Sequence, residues 1–190
     1  MINKETIDFV AAHRHEDPRT LALQAKRYPA VEMQKAVTQI EGWQTAERKL
    51  PTWAATEGII FPPRISMEQC SSEETANYKS NLVTGENIAD LTGGFGIDCS
   101  FMARGFKSAF YIERNPLLCD IARHNFKLLG LGKIEIINCV ITHCQIEDRV
   151  KRNRFDNTSC DVKNQKFNFQ SSTDKTNLRH NRPPLFQLIF

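Results

Sequence analysis

Through most of the first eighty positions apolar residues recur at intervals of three and four. From Glu86 onward they gather into short runs separated by further helical spacing. Asp17-Pro18 sets a capping carboxylate before a proline at the first helical position, where the missing N–H costs nothing, and Leu21, Ala25 and Tyr28 then share a face. A second pattern, Met33, Ala36, Val37, Ile40 and Trp43, continues towards Lys49, so two amphipathic helices are expected to pack together. Leu50-Pro51-Thr52-Trp53 is read as the stop of that helix, and Gly58 to Pro63 as a short extended piece closed by two prolines. A further helix is predicted over 73–82.

Beyond Glu86 strands are predicted at 88–91, 108–112 and 133–138, alternating with helices at 98–103 and 116–129. The second helix is closed by Gly130-Leu131-Gly132. Such alternation is the signature of βαβ units on a parallel sheet. The expected fold is α/β: an N-terminal helical domain (1–82), then an incomplete Rossmann-like parallel sheet (83–144). A polar stretch (145–184) is expected to be a disordered insertion, and 185–190 a terminal strand.

Composition narrows the function classes. The 190 residues are 41% hydrophobic, as in ordinary globular chains, and the N-terminus has no apolar run long enough for a signal peptide or membrane span, so a cytoplasmic, membrane-free protein is expected. The net charge of +3 is local: nine Lys/Arg face five Asp/Glu between Gln145 and Pro184, leaving −1 elsewhere. A chain-wide basic face for nucleic acid is therefore not encoded. Six scattered cysteines without a C-x-x-C pair argue against zinc and against a disulfide framework, and no metal is expected.

The candidate chemistry sits after the first strand, in Asp90-Leu91-Thr92-Gly93-Gly94-Phe95-Gly96. An acid at a strand end followed by a glycine-rich turn into a helix is a cofactor-binding device, since glycines let backbone approach a ligand closely. The dinucleotide fingerprint begun at Gly94 and Gly96 would need a third glycine where Cys99 stands, which disfavours an NAD-dependent oxidoreductase. No G-K-[ST] occurs for a Walker loop. The pattern [D/E]-x-G-x-G-x-G of S-adenosylmethionine enzymes fits Asp90, Gly94 and Gly96, with Thr92 in place of the first glycine. Glu113, twenty residues past Gly93 at the end of the next strand, is placed to accept ribose hydroxyls. Asp90, Thr92, Gly93, Gly94, Gly96 and Glu113 are the expected cofactor residues.

Leu50-Pro51-Thr52-Trp53-Ala54, then Ser66 to Glu73, then Asp90 to Asp98 follow one another as in bacterial class I methyltransferases that carry a THUMP-like C-terminal domain, and over roughly Met1 to Asn138 the chain resembles that family. The resemblance implies S-adenosylmethionine as cofactor, held by Asp90, Gly94, Gly96 and Glu113, and, because THUMP-like modules are associated elsewhere with RNA, an RNA substrate. Such enzymes end their fourth strand with Asp/Asn-Pro-Pro or Asp-Pro-Ala. Here Leu188-Ile189-Phe190 looks like that strand, so the chain is expected to be a truncated form lacking strands five to seven, and no catalytic residue is assigned. Asn115-Pro116-Leu117 is read as a helix cap, and Asn181-Arg182-Pro183-Pro184 precedes its strand; neither is catalytic. A non-catalytic cofactor-binding fragment or module is the rival reading.

Other residues carry plainer readings. Asp98 either complements a helix dipole or serves the site. His143-Cys144 lacks partner ligands for a metal, Arg123-His124-Asn125 is expected on a solvated helix face, and Trp43 and Trp53 belong to the helical core rather than to base-stacking platforms. Ser66 to Glu73 is expected to lie against the cofactor pocket.

Overall fold

The computed structural model describes residues 2–140 and the backbone of 186–189. The expectations placed on His143-Cys144 and on the polar stretch at 145–184 fall outside these residues.

Six α-helices, with a 3-10 turn at Ala25–Arg27 after the second, precede the sheet: α1 (Lys4–His13), α2 (Pro18–Leu23), α3 (Met33–Lys49), α4 (Pro51–Ala55), α5 (Arg64–Gln69) and α6 (Glu73–Ser80). The caps are those the sequence advertises. Asn3 accepts from the Thr6 amide, Asp17 from Arg19 and Thr20, and Ser72 from Thr75. The reading of Leu50 to Trp53 as a stop is half of the matter. Pro51 does end α3, but it is also the first residue of α4, because a proline needs no hydrogen-bond acceptor at that position. The cap of α4 comes from a distance: the Glu73 carboxylate accepts from the Thr52 and Trp53 amides at 2.7 and 3.2 Å and from the Thr52 hydroxyl at 2.7 Å.

The sheet comprises β1 (Asn87–Asp90), β2 (Ser108–Glu113), β3 (Ile134–Asn138) and β4 (Phe186–Ile189), all parallel in the order β3-β2-β1-β4. α7 (Ile97–Met102) links β1 to β2, and α8 (Pro116–Leu128), capped by Asn115, links β2 to β3. Strand order reverses between β1 and β4, so the turn after β1 opens at the switch point where doubly wound sheets bind ligands.

One apolar cluster runs from Ala46, Leu50, Trp53, Phe61 and Met67 into Ile88, Phe95, Tyr111 and Phe126, joining the helices to the sheet; Phe9, Leu21, Ala36 and Ile40 form a smaller one. The extended piece at Ile60-Phe61 runs between the two layers and is gripped by two side-chain amides. Gln39 of α3 exchanges two hydrogen bonds with the Phe61 backbone (2.8 and 2.9 Å), and Asn125 of α8 does the same with Ile60 (2.9 and 2.8 Å). This corrects the solvated reading of Arg123-His124-Asn125 at its last residue only. Arg123 is exposed and pairs with Asp120, and His124 is exposed with Nε2 2.8 Å from the Gly58 carbonyl, but Asn125 is wholly buried. A buried amide must find partners, and an extended backbone segment without a neighbouring strand supplies them.

Candidate functional site

The loop from Asp90 to Gly96 is held from below by aromatic rings. Gly93 lies on Tyr111 so closely that a Cβ there would fall 2.3 Å from the ring; at Gly96 it would fall 2.7 Å from Phe126, and φ is +90°. Gly94, at φ +54°, has among the described residues only the Thr92 carbonyl within reach of such an atom, at 3.7 Å, so these residues leave one side of it open. The Tyr111 hydroxyl donates to the Gly94 carbonyl at 2.6 Å. Phe95 turns the other way, into the helical layer, where it meets Trp53 edge-on with ring centres 4.9 Å apart and lies near Phe61. Trp53 is buried as expected, and Trp43 is half-buried with its indole N–H on the Ala54 carbonyl.

The loop's amides are occupied by the chain itself. Thr92 N–H donates to Asp90 Oδ1 (3.1 Å), Gly93 N–H to the Ile112 carbonyl (2.9 Å), Gly94 N–H to Glu113 Oε2 (3.0 Å) and Gly96 N–H to the Gly93 carbonyl (2.8 Å). Glu113 Oε1 takes the Asn115 amide at 2.8 Å, while its carbonyl is fixed by Asn138 and Cys139 of the β3 end. Asp90 and Glu113 thus flank one loop from adjacent strands. Burial pushes the Asp90 carboxyl up from 3.8 to about 7; the Thr92 amide and Lys79 oppose that rise, and Asp98 and Glu113 add to it. Burial likewise raises the Tyr111 hydroxyl and the Cys99 thiol, leaving both protonated and Cys99 an inert core residue.

All six expected cofactor residues meet in this one loop and strand end. Sequence reasoning missed Tyr111, Phe95 and Lys79. Phe95 had a legible signal, being a large aromatic between two glycines, whereas Tyr111 meets the loop only through the pairing of β2 with β1 and Lys79 reaches Asp98 only through the packing of α6 on α7. A separate cleft of about 380 Å³ lies among α2, α3 and α5, lined in part by Arg19, Arg48, Arg64, Glu41 and Glu68. It contains none of the loop residues, and its mixed charges select no ligand class. Among the described residues no three His, Cys, Asp or Glu side chains converge as a metal site, and no helix is long and apolar enough to cross a membrane.

No family model and no curated protein matches the chain. Among solved structures it is similar to a protein from Porphyromonas gingivalis W83 assigned as a methyltransferase, with 30% identity and a TM-score of 0.62 over 78% of this chain and 37% of that one. Partial overlaps at a TM-score of 0.31 occur with the tRNA m1G37 methyltransferase of M. jannaschii (20% identity, 36% of this chain and 22% of that one) and with Trm5b of Pyrococcus abyssi (21%, 42% and 22%). The fold is thus α/β and of the class I methyltransferase type, with helices leading into a parallel Rossmann-like sheet. The chain spans 37% of the length of the Porphyromonas protein.

Proposed function

We propose that the loop after β1 binds S-adenosylmethionine and that the chain serves a cofactor-dependent methyl transfer. The observation that carries this reading is the pair of carboxylates on the loop amides. Asp90 and Glu113 occupy the Thr92 and Gly94 N–H groups that a pyrophosphate would need, and Asp98 adds a third acid in the first turn of α7. Such a site repels phosphate and favours a ligand with cationic centres and free hydroxyls. S-adenosylmethionine has a sulfonium, an ammonium and a ribose diol without phosphate; NAD has the reverse balance. The open side of Gly94 supplies the cradle that a side chain would fill.

In this reading Glu113 holds the ribose hydroxyls with lone pairs left over from its two amide bonds. Asp90 faces the cationic end. Gly94 and Gly96 admit the adenosyl group to the backbone, and Tyr111 keeps the loop in register. The bound cofactor supplies an activated methyl group for attack by a nucleophile. RNA is the acceptor class we favour, because the ordered motifs at 50–54, 66–73 and 90–98 resemble those of the THUMP-like methyltransferases; a cytoplasmic setting goes with that reading.

Titration calorimetry with S-adenosylhomocysteine and with NAD tests the cofactor. Binding of the first alone is expected, and binding of neither rejects the reading. Transfer of labelled methyl from S-adenosylmethionine to bulk RNA then separates an enzyme from a binding module.

A further inference from the structure

The polar string ahead of the sheet does more than cap a helix. Lys49 Nζ donates to the Met67 and Glu68 carbonyls at 2.9 and 3.1 Å, and Glu73 caps α4. Ser71 Oγ donates to Asp98 Oδ2 at 2.9 Å, Lys79 Nζ donates to the same oxygen at 2.8 Å, and Lys79 Nζ also reaches Ser71 Oγ at 2.9 Å. The three side chains close a ring joining α6 to the first turn of α7, two residues past Gly96. Asp98 Oδ1 is buried and has no hydrogen-bond partner among the described residues, so the carboxylate is held through Oδ2 by Ser71 and Lys79, and Lys79 is the cation that balances its charge there.

The pair itself is partly exposed, with Lys79 at 41% and Asp98 at 23%, and such bridges contribute little to stability. Its location is what matters. Among the described residues the titratable groups acting on Asp90 are Asp98 and Cys99 on α7, Lys79 on α6, and Glu113 and Tyr111 on β2, and β4 has no titratable residue. Lys79 is the one cation in that set of described residues.

Resting on the cofactor reading above, we infer that Lys79 is a positioning residue for the loop. By compensating Asp98, and with Ser71 fixing its place, it leaves Asp90 as the carboxylate that carries the negative charge towards the cofactor's cation. Asp98 favours the protonated form of Asp90 and Lys79 favours the ionised one, so the two oppose each other at the same atom.

The test is S-adenosylhomocysteine affinity measured by calorimetry from pH 5.5 to 9 for the wild type, Lys79→Met, Lys79→Arg, Asp98→Asn and the Lys79→Met/Asp98→Asn pair. Lys79→Met is expected to bind about fivefold more weakly at pH 7 and to come within about 1.5-fold of the wild type at pH 9, with the pH midpoint of binding moved up by about one unit. Lys79→Arg restores the wild-type profile. Asp98→Asn moves the midpoint down, and the double variant returns near the wild type at pH 7. A purely structural clamp predicts instead an equal loss at every pH and no rescue in the double variant, which overturns the role given to Lys79. Should Lys79→Met not fold, Asp98→Asn alone decides: an unmoved midpoint, or a uniform loss, overturns it. Absence of wild-type binding at any pH overturns the cofactor reading itself, a different failure.

Discussion

Two glycines of one loop, Gly93 and Gly94, serve different ends, and substitution separates them. At Gly93 an added methyl meets the Tyr111 ring at 2.3 Å, and that ring is fully buried and tied to the Gly94 carbonyl. Gly93→Ala is expected to lower stability by about 1–3 kcal/mol, as overpacking does, and to weaken cofactor binding with it. At Gly94 the described residues leave the space open and only the positive φ opposes a side chain, so Gly94→Ala is expected to cost about 1 kcal/mol. On the proposed cofactor reading, its methyl would stand where the ligand approaches. Urea unfolding together with S-adenosylhomocysteine calorimetry distinguishes the two: a folded Gly94→Ala that binds as well as the wild type would remove Gly94 from the site. The spacing of these glycines was legible in the sequence. Which of them faces the core was not, because that depends on Tyr111 and Phe126 arriving from other elements.

Among the elements, the grip on Ile60-Phe61 is the joint between the helical layer and the sheet. Asn125 offers one donor and one acceptor to a backbone segment that has no strand beside it, and it is wholly buried. Asn125→Leu leaves the Ile60 N–H and carbonyl without partners, and a loss of roughly 1–3 kcal/mol per stranded group is expected. Gln39→Leu should do less harm at the half-buried end of the joint. Equal urea midpoints for Asn125→Leu and the wild type would contradict this account. From 73 onward the element pattern was readable: strands and helices fall within a residue or two of their predicted positions, because βαβ alternation, proline and capping residues mark them. Ahead of it α1, α4 and α5 had no predicted position, and the face expected through Leu21, Ala25 and Tyr28 is split between α2, which ends at Leu23, and a 3-10 turn at Ala25–Arg27. α4 was hidden because Pro51 serves as stop and start at once, and α5 because the Arg64 to Gln69 run shows no apolar stripe. The burial of Asn125 had a trace in the sequence, for it stands on the same stripe as Leu118, Ile121 and Ala122 at spacings of three and four. A polar residue on an apolar stripe signals a buried hydrogen-bonding duty.

At the scale of the whole molecule the loop couples stability to charge. Asp90 lies in the core shared by sheet and helices, and its carboxyl is held at about 7 against an ordinary 3.8, mainly by burial. The folded chain therefore binds that proton more tightly than the unfolded one. The contribution of Asp90 to stability is most favourable below pH 3.8, declines as pH rises towards 7, and is level above it. Each tenfold difference in proton affinity corresponds to about 1.4 kcal/mol, so the decline amounts to a few kcal/mol. Asp90→Asn keeps an acceptor for the Thr92 amide and discards the buried charge. It is expected to raise the urea midpoint above that of the wild type at pH 7.5, with the gap closing towards pH 4.5, while weakening S-adenosylhomocysteine binding at least about tenfold. A variant less stable than the wild type at pH 7.5 would mean that hydrogen bonds to the carboxylate outweigh its burial. A variant that is stabilised and binds normally would separate the charge from the ligand. The expected combination, a more stable chain that binds worse, follows because a carboxylate at this depth costs stability when ionised, and on the proposed cofactor reading the ligand's cation offsets that cost.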